Sequence, residues 1–340
     1  MRTRLRAEAG FTLAEMLIST GLLLVISSIV TSALLQMTNH QQTIWNRTEM
    51  HSGVRGATEL LQQEVGQAGR IAIPGSVTIA SLPVTTVPAN PTACTPAATV
   101  LSSVTGLWFD GGSNTSVTIT FLDGDNTESV KLTNLVKATK TISACFWHNH
   151  AVAAPVAVMG VFANGIIPKT GVLNGSTDNK LKMFGDINGD GSMVYIEYYC
   201  DSGDPGTNGT HNLYRNMMKF DWDLAVDGAK PTTLINSKIL LSNVYPNPPD
   251  NGVARPCFQY QETNPPLTFQ GTAFTLVLDV AVTLTVQTQV IDPVTHLYQT
   301  ETKALLNVSP RNVFFAWELI GMGYTERVQS TPATITALLP

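Results

Sequence analysis

The sequence predicts an α+β protein in which one long N-terminal helix precedes a β-rich head. Three observations lead to this prediction. An uncharged apolar run covers residues 16–35. An amphipathic helical stripe follows within residues 54–68. Beyond residue 117, short stretches alternate apolar and polar residues between turn-forming residues, which is typical of antiparallel strands.

The apolar run is long enough to cross a bilayer, because about 20 helical residues span about 30 Å of hydrocarbon. Arg2, Arg4 and Arg6 precede the run, and basic clusters of this kind stay on the cytoplasmic side. We therefore expect a transmembrane segment at 11–35, with its amino end in the cytoplasm and the following residues exported. A secretory signal peptide would instead be cut after its apolar stretch.

The helix is predicted to continue beyond the membrane over residues 36–70. Its apolar face follows a 4-3-4-3 spacing, which places the side chains on one stripe. The stripe consists of Val54, Thr58, Leu61, Val65 and Ala68. Pro74 ends the helix, because proline lacks the amide that a helix interior needs. The stripe is predicted to pack against the globular head, residues 71–340.

The head begins with a proline-rich stretch, residues 71–98, which is predicted to be an extended surface connector. Strands follow. Apolar residues alternate with threonine over 117–121, and the Asp-Gly-Asp-Asn sequence at 123–126 predicts a turn into a returning strand. The clearest alternation covers 274–286, with residues 298–308 as its expected partner strand.

The four cysteines lie on the predicted exported side, where disulfides persist. Four cysteines allow three pairings, and proximity in sequence favours Cys94 with Cys145 and Cys200 with Cys257. Free, buried thiols are the alternative. The formal net charge of −5 argues against a general nucleic-acid-binding protein, which would present a basic face.

Residues 10–15 read Gly-Phe-Thr-Leu-Ala-Glu and resemble the type IV prepilin signal. The resemblance implies that residues 1–10 are a leader peptide, removed by a prepilin peptidase that cuts after Gly10. The new N-terminal residue, Phe11, would become N-methylphenylalanine. Glu15 would pair with the N-terminal amine of a neighbouring subunit during assembly. Such a role fits an ionisable group inside lipid, which is costly unless it has a partner.

Several later stretches are similar to PilW-like minor pilins, which are related to the large minor pseudopilins of type II secretion. They comprise the distal helix at 53–69, the strand at 194–199, Asn212-Leu213-Tyr214-Arg215, residues 240–244 and Pro310-Arg311-Asn312-Val313. The resemblance implies a pilin fold, with the long helix packed on an antiparallel sheet. Residues 314–340 extend past the usual end of this family, and the head is large enough to favour a position at a fibre tip.

The resemblance implies a minor type IV pilin, a non-enzymatic structural subunit that helps initiate or cap pilus assembly. The alternatives are a pseudopilin of a type II secretion or DNA-uptake machine, and a tip adhesin. Expected partners are the prepilin peptidase, other major and minor pilins, and the inner-membrane assembly platform. The protein would lie in the inner membrane before assembly and in the pilus fibre at the cell surface afterwards. No sequence motif of a nucleophile elbow or phosphate-binding loop supports an enzymatic role.

One motif suggests a metal. Asp186, Asn188, Asp190 and Glu197 match the D-x-N-x-D-G-x5-E pattern of a calcium loop, in which alternating oxygen ligands wrap a hard cation. An EF-hand would continue as a helix, whereas residues 193–200 are predicted to form a strand. The alternative is a hairpin turn, since Asp, Asn and Gly favour turns without a metal.

Overall fold

The structure is a computed structural model that describes residues 12–81, 94–109, 117–202, 211–223, 226–230, 238–269, 272–324 and 327–339. The chain divides into two compact units. The first unit comprises Met1–Ser52 and Gln287–Thr300, and the second comprises Gly53–Val286 and Glu301–Pro340.

Helix α1, Leu13–Gln67, is the long N-terminal helix, so the predicted α+β arrangement of an apolar helix followed by antiparallel sheets is confirmed. The part of α1 that lies in the second unit carries the predicted stripe. Its five residues are buried, with 0–2 % of each side chain exposed. The helix ends at Gln67 because Gly69 takes a left-handed φ of 84°, a conformation that glycine adopts without steric cost.

The first sheet of the second unit has five antiparallel strands in the order β1-β4-β3-β2-β5. They are β1 (Ala97–Val100), β2 (Thr118–Phe121), β3 (Glu128–Val136), β4 (Thr141–Ala144) and β5 (Val156–Val158). A 3-10 turn at Gly124–Asn126 joins β2 to β3, which confirms the predicted turn between two strands.

The second sheet has four antiparallel strands in the order β10-β9-β8-β7. A short strand, β6 (Val161–Phe162), precedes it in the chain. The four strands are β7 (Lys180–Gly185), β8 (Val194–Cys200), β9 (Asn212–Lys219) and β10 (Lys238–Ser242). The residues of β8 alternate little in burial, because nearly all of them are covered on both faces.

The third sheet is built around a long strand, β15, which pairs with β11, β12 and β16. The strands after β10 are β11 (Val244–Tyr245), β12 (Phe258–Glu262), β13 (Leu267–Phe269), β14 (Thr272–Phe274), β15 (Val277–Gln287) and β16 (Thr300–Val308). Strands β13 and β14 form a separate antiparallel pair. The predicted pairing of the two last long strands is confirmed.

The alternation at 274–286 is too long for one flat strand, and it is interrupted after Phe274, where the amide of Leu276 donates to the Thr263 hydroxyl instead of a sheet neighbour. One detail of the prediction is wrong. The connector at 71–98 is not wholly on the surface. Its aliphatic side chains enter the core, because the connector bridges to residues next to β5 and β1, Thr78 to Pro155 and Ile79 to Leu101. Those side chains are Ile71, Ile73, Val77 and Ile79. Residues 82–93 of the connector lie outside the described residues.

The residues after β16 form two helices and a strand, α2 (Arg311–Gly321), β17 (Val328–Gln329) and α3 (Ala333–Leu338). Strand β17 pairs in parallel with β6, and α2 packs on this pair through Val313, Ala316 and Leu319. Helix α3 inserts Ile335 and Leu338 into the main core. That core centres on the rings of Trp108, Phe162, Phe184 and Phe220. Residues 314–339 are therefore an integral part of the head.

Two disulfides link Cys94 to Cys145 and Cys200 to Cys257, the pairing that sequence proximity favours. The first closes the chain around the β1–β4 edge of the first sheet. The second joins the end of β8 to the residue before β12, and so connects the second sheet to the third. With sequence separations of 51 and 57 between the paired cysteines, each disulfide stabilises the head by about 4 kcal/mol on a chain-entropy model.

The burial of α3 predicts a large cost for truncating its core side chains. Leu338→Ala should lower the free energy of unfolding by about 2–5 kcal/mol, because Leu338 is fully buried and the change leaves a cavity. Leu173→Ala is the matched control, since Leu173 is 86 % exposed and should cost less than about 0.5 kcal/mol. Chemical denaturation of both variants measures the difference, and equal stabilities would show that α3 is not part of the folded core.

Candidate functional site

The apolar half of α1 is fully exposed. Every residue from 12 to 42 is exposed in the structure, including Leu17, Leu24 and Leu35. The helix is long and apolar enough to cross a membrane. A continuous apolar surface of this length is unfavourable in water. It is therefore suited to lipid or to the helices of neighbouring subunits.

Several hydroxyl side chains in this half donate hydrogen bonds within the helix. The hydroxyl of Thr20 donates to the carbonyl of Met16 at 2.8 Å, and that of Ser28 donates to the carbonyl of Val25 at 2.8 Å. Such bonding to the preceding turn removes the need for a water partner. The hydroxyl groups are thus compatible with an apolar environment, and α1 continues through the serines at 27, 28 and 32.

Glu15 is the one ionisable residue between Leu13 and Leu35, and it caps its own helix. The amide and hydroxyl of Thr12 both donate to Glu15 Oε2 at 3.0 Å, and the Glu15 amide donates to the Thr12 hydroxyl at 3.3 Å. This reciprocal arrangement is a capping box. In the sequence, Thr12 and Glu15 form a Thr-x-x-Glu pattern directly before an apolar run, and this pattern is the signal that predicts a capping box.

The capping box fixes the Glu15 carboxylate at the first turn but occupies only one of its oxygens. Among the described residues, Oε1 has no hydrogen-bond donor. A carboxylate has about four lone-pair sites, so Oε1 can accept a hydrogen bond from an incoming cation. The expected cleavage and methylation residues, Gly10 and Phe11, lie outside the described residues.

The distal part of α1 is held on the second sheet by a buried ion pair that the sequence analysis missed. Arg215 Nη2 on β9 lies 2.6 Å from Glu64 Oε1, and Arg215 Nε lies 3.1 Å from both carboxylate oxygens. The hydroxyl of Tyr198 on β8 also donates to Glu64. Burial and the Glu64 charge raise the pKa of Tyr198, so its hydroxyl remains a donor.

A sequence signal for this pair existed. Glu64 lies three residues after Leu61 and four before Ala68, at the edge of the buried stripe, where a carboxylate needs a partner. Arg215 belongs to the Leu-Tyr-Arg stretch on which the family resemblance partly rests. The structure gives that arginine a physical role, which is to neutralise the buried carboxylate of α1.

The end of α1 is fixed by a second contact from a family-like stretch. Asn312 Nδ2 donates to the carbonyls of Gln67 and Ala68 at 3.0 and 2.9 Å, which satisfies two of the orphan acceptors at the helix end. Gly165 packs directly against Gly69. A Cβ atom on Gly165 would lie 2.2 Å from the Gly69 Cα, so only glycine permits this approach.

The predicted calcium loop joins β7 to β8, and its acidic groups already have partners. The buried Asp186 lies 3.5 Å from Arg70 Nε and accepts a hydrogen bond from the Gly191 amide at 3.3 Å. Asp190 accepts one from the Ser192 amide at 2.8 Å, and Asn188 is exposed. These contacts are those of a hairpin turn and provide local stability without an ion.

Glu197, the expected twelfth-position ligand, lies in a different environment. It pairs with Lys182 in the β7–β8 register, three pairs from the Gly185–Val194 pair that borders the loop. Within the described ranges, no group of three or more His, Cys, Asp or Glu side chains could hold a metal ion. Calcium binding stays a prediction, and it would rest on Asp186, Asn188 and Asp190 alone.

Glu197 instead belongs to a buried cluster that fixes the segment after β17. Lys230 Nζ lies 2.5 Å from Glu197 Oε1 and donates to the Leu338 carbonyl at 2.7 Å. Lys182 Nζ donates to the Leu339 carbonyl and lies 3.8 Å from the same carboxylate. The Tyr195 hydroxyl donates to Glu197 at 2.7 Å. Two lysines and one glutamate thus cover the end of α3.

Desolvation by burial lowers the pKa of Lys182 to about 8, although the negative charge of Glu197 opposes the shift. The neighbouring charges of Lys230 and Lys180 lower it further. Burial and Glu197 raise the pKa of Tyr195. The cluster therefore contains one titratable group whose protonation is sensitive to mildly alkaline pH.

No protein-family model, no curated protein and no solved structure matches this chain. The resemblance to type IV prepilins stays a prediction.

The buried pair predicts an asymmetric mutational response. Arg215→Met should lower the free energy of unfolding by about 3–5 kcal/mol, because it leaves the Glu64 charge buried without its counter-ion. Adding Glu64→Leu should recover much of this loss. Arg255→Met removes an exposed ion pair with Asp250 and should cost less than about 1 kcal/mol. Denaturant titrations of these variants test the prediction, which fails if the double variant is less stable than Arg215→Met.

The lowered pKa of Lys182 predicts a pH dependence of stability. Between its folded pKa of about 8 and its unfolded value, about 10.4, the unfolded chain binds more protons. The free energy of unfolding should therefore rise with pH in this window. Below the window, Lys182 is protonated in both states and contributes no pH dependence. With allowance for partial solvent screening, the rise attributable to Lys182 should be about 1–2 kcal/mol. Above pH ~10, ionisation of unfolded tyrosines opposes it.

Denaturant titrations from pH 7.5 to about 9.5 measure this effect. Lys182→Met should remove the rise, whereas Lys238→Met, at an exposed position, should keep it. A rise that persists in Lys182→Met would assign the titration to another group.

Proposed function

We propose that the chain is a minor type IV pilin, a non-enzymatic structural subunit that helps to initiate or cap pilus assembly. The observation that carries the proposal is the exposed apolar half of α1 with a single carboxylate in its first turn. Such a helix needs an apolar environment, and its carboxylate needs a cationic partner there. A membrane provides the apolar environment. A neighbouring subunit of the same kind provides both the apolar environment and the cationic partner.

In this proposal a prepilin peptidase cleaves after Gly10 and methylates the amine of Phe11. The subunit waits in the inner membrane through residues 11–35. During assembly, the amine of a neighbouring subunit reaches Glu15 Oε1, the carboxylate oxygen that the Thr12 cap leaves open. The two charges neutralise each other within the apolar fibre interior, where an uncompensated charge is strongly unfavourable. The other major and minor pilins and the assembly platform would then dock on the exposed helix.

The bulk of the head supports a terminal position in the fibre. In its described residues, the head contains five sheets, two helices and two disulfides in addition to the distal part of α1. A large head limits how closely successive subunits can stack along a helical fibre, whereas a subunit at the tip has neighbours on one side only.

A pseudopilin of a secretion or DNA-uptake machine is the alternative function. It uses the same membrane chemistry, and the machine that takes up the subunit distinguishes the two functions.

Glu15→Ala should leave the head folded and the chain processed but lower its incorporation into pili, because the cationic partner loses its counter-charge. The measurement is the ratio of the protein in the sheared pilus fraction to that in the membrane fraction. Glu49→Ala is the control, since Glu49 is an exposed glutamate of the same helix beyond the apolar run. Its ratio should equal that of the unmodified chain.

Intact-mass analysis of the membrane fraction separates processing from assembly. Both variants should begin at Phe11. Normal incorporation of Glu15→Ala would remove the assembly role of Glu15. A mature chain with another first residue would remove the prepilin assignment. Recovery in a secretion complex, with none in pili, would favour the pseudopilin.

A further inference from the structure

The loop between β15 and β16, residues 288–299, presents an apolar surface in the first unit. Five large apolar side chains of this loop are 43–67 % exposed. They are Val290, Ile291, Val294, Leu297 and Tyr298. The sequence of the loop contains one formally charged residue, Asp292, and it is buried. The exposed side chains of the loop are therefore mainly apolar and include no carboxylate, lysine or arginine.

Asp292 organises the loop from within. Its carboxylate accepts hydrogen bonds from the amides of Val294 and Thr295 at 2.8 Å each, and a further one from the Gln299 side chain. The amide of His296 donates to the Asp292 carbonyl at 2.8 Å. The hydrogen bond from the Thr295 amide is the largest cause that lowers the pKa of Asp292. The hydrogen bonds of Asp292 thus fold the loop into a compact turn, and the apolar side chains of the loop are left on the outside.

The loop lies against α1 at two positions. Arg47 Nε donates to the Gln299 side chain, and the Thr43 side chain lies near the Asp292 carboxylate, with its hydroxyl donating to the Asn39 carbonyl at 3.1 Å. Thr43 is one helical turn nearer to the apolar run than Arg47. Passing from Gln299 to Asp292, the loop therefore runs along α1 towards the apolar run.

The distances bring the loop to the level of a bilayer surface. Thr43 lies eight residues after Leu35, or about 12 Å along the helix. The polar layer of a bilayer is about 5–8 Å thick on each side of the hydrocarbon. The exposed side chains of Val294 and Leu297 lie at the turn beyond Asp292, and the remaining gap of about 4–7 Å is comparable to the reach of such side chains.

We propose that this loop is a second membrane contact, whose apolar side chains enter the interfacial layer of the extracytoplasmic leaflet beside α1. The occupant is the lipid surface, because the loop lies against α1 directly after its exposed apolar half and continues that apolar surface. Tyr298 and the exposed Trp45 of α1 are the residue types enriched at membrane interfaces. The inference rests on the membrane helix of the proposed function.

A loop seated in the interface would fix the rotation and tilt of α1 before assembly. Extraction of the subunit into a fibre would then withdraw two elements from lipid, the helix and the loop. The hydrogen bonds from the Val294 and Thr295 amides to Asp292 lie within the loop, so they can keep the turn ordered in both environments.

Depth-dependent fluorescence quenching tests the loop contact. The full chain is reconstituted in phosphatidylethanolamine and phosphatidylglycerol vesicles, with and without bromine on the acyl chains. Leu297→Trp places a tryptophan on the loop, at a side chain that is 67 % exposed. Its emission is measured as the difference from the unmodified chain, and bromolipid should cause loss of this added emission. Val294→Trp is the second loop variant.

Two further variants separate this inference from the proposed function. Leu24→Trp lies in the apolar half of α1 and must be quenched if the helix spans the bilayer. Leu173→Trp lies on the head at an 86 % exposed side chain and should be insensitive to bromolipid. Quenching of Leu24→Trp with none at either loop position would overturn the loop contact alone. No quenching of Leu24→Trp would overturn the membrane helix as well. Quenching at the loop variants but not at Leu173→Trp supports the inference.

Discussion

The fold depends on the attachment of the end of α1 to the head. At this point a long helix must stop, turn and enter a packed core within a few residues. Gly69 supplies the left-handed turn, Gly165 allows the backbone to pass closely, and Asn312 satisfies the last carbonyls. Glu64 and Arg215 fix the rotation of the helix about its axis, because a buried charge has only one acceptable position.

The two halves of α1 meet opposite solvation requirements with the same backbone. The distal half buries its apolar stripe and one neutralised carboxylate against the sheet. The proximal half exposes its apolar side chains on every face and satisfies its hydroxyls locally. The carboxylates of the two halves differ accordingly. Glu64 has its counter-charge within the chain, whereas the donors to Glu15 among the described residues are the neutral groups of Thr12.

The elements with a strong local signal could be predicted from the sequence. The apolar run, the distal stripe, the β2–β3 hairpin and the β15–β16 pair each follow a hydrophobic period of one element. The disulfide pairing followed from proximity. The partners of Glu64, Glu197 and Asp186 could not be predicted, because Arg215, Lys230 and Arg70 reach them through tertiary contacts. The calcium pattern illustrates the same limit. The pattern predicts four ligands from their spacing along the chain. In the β7–β8 register, however, Glu197 lies beside Lys182 and Lys230.

The position of α3 in the core has a consequence for the order in which the molecule matures. Ile71 and Leu338 belong to the same hydrophobic cluster, although they lie near opposite ends of the head's sequence. Because synthesis proceeds from the amino end, Ile71 emerges long before Leu338. The cluster can close only after residue 338 has emerged, whereas both disulfides join cysteines that emerge closer together. Disulfide formation can therefore precede completion of the core, and a cross-linked head with an open core is the intermediate that this order of synthesis allows.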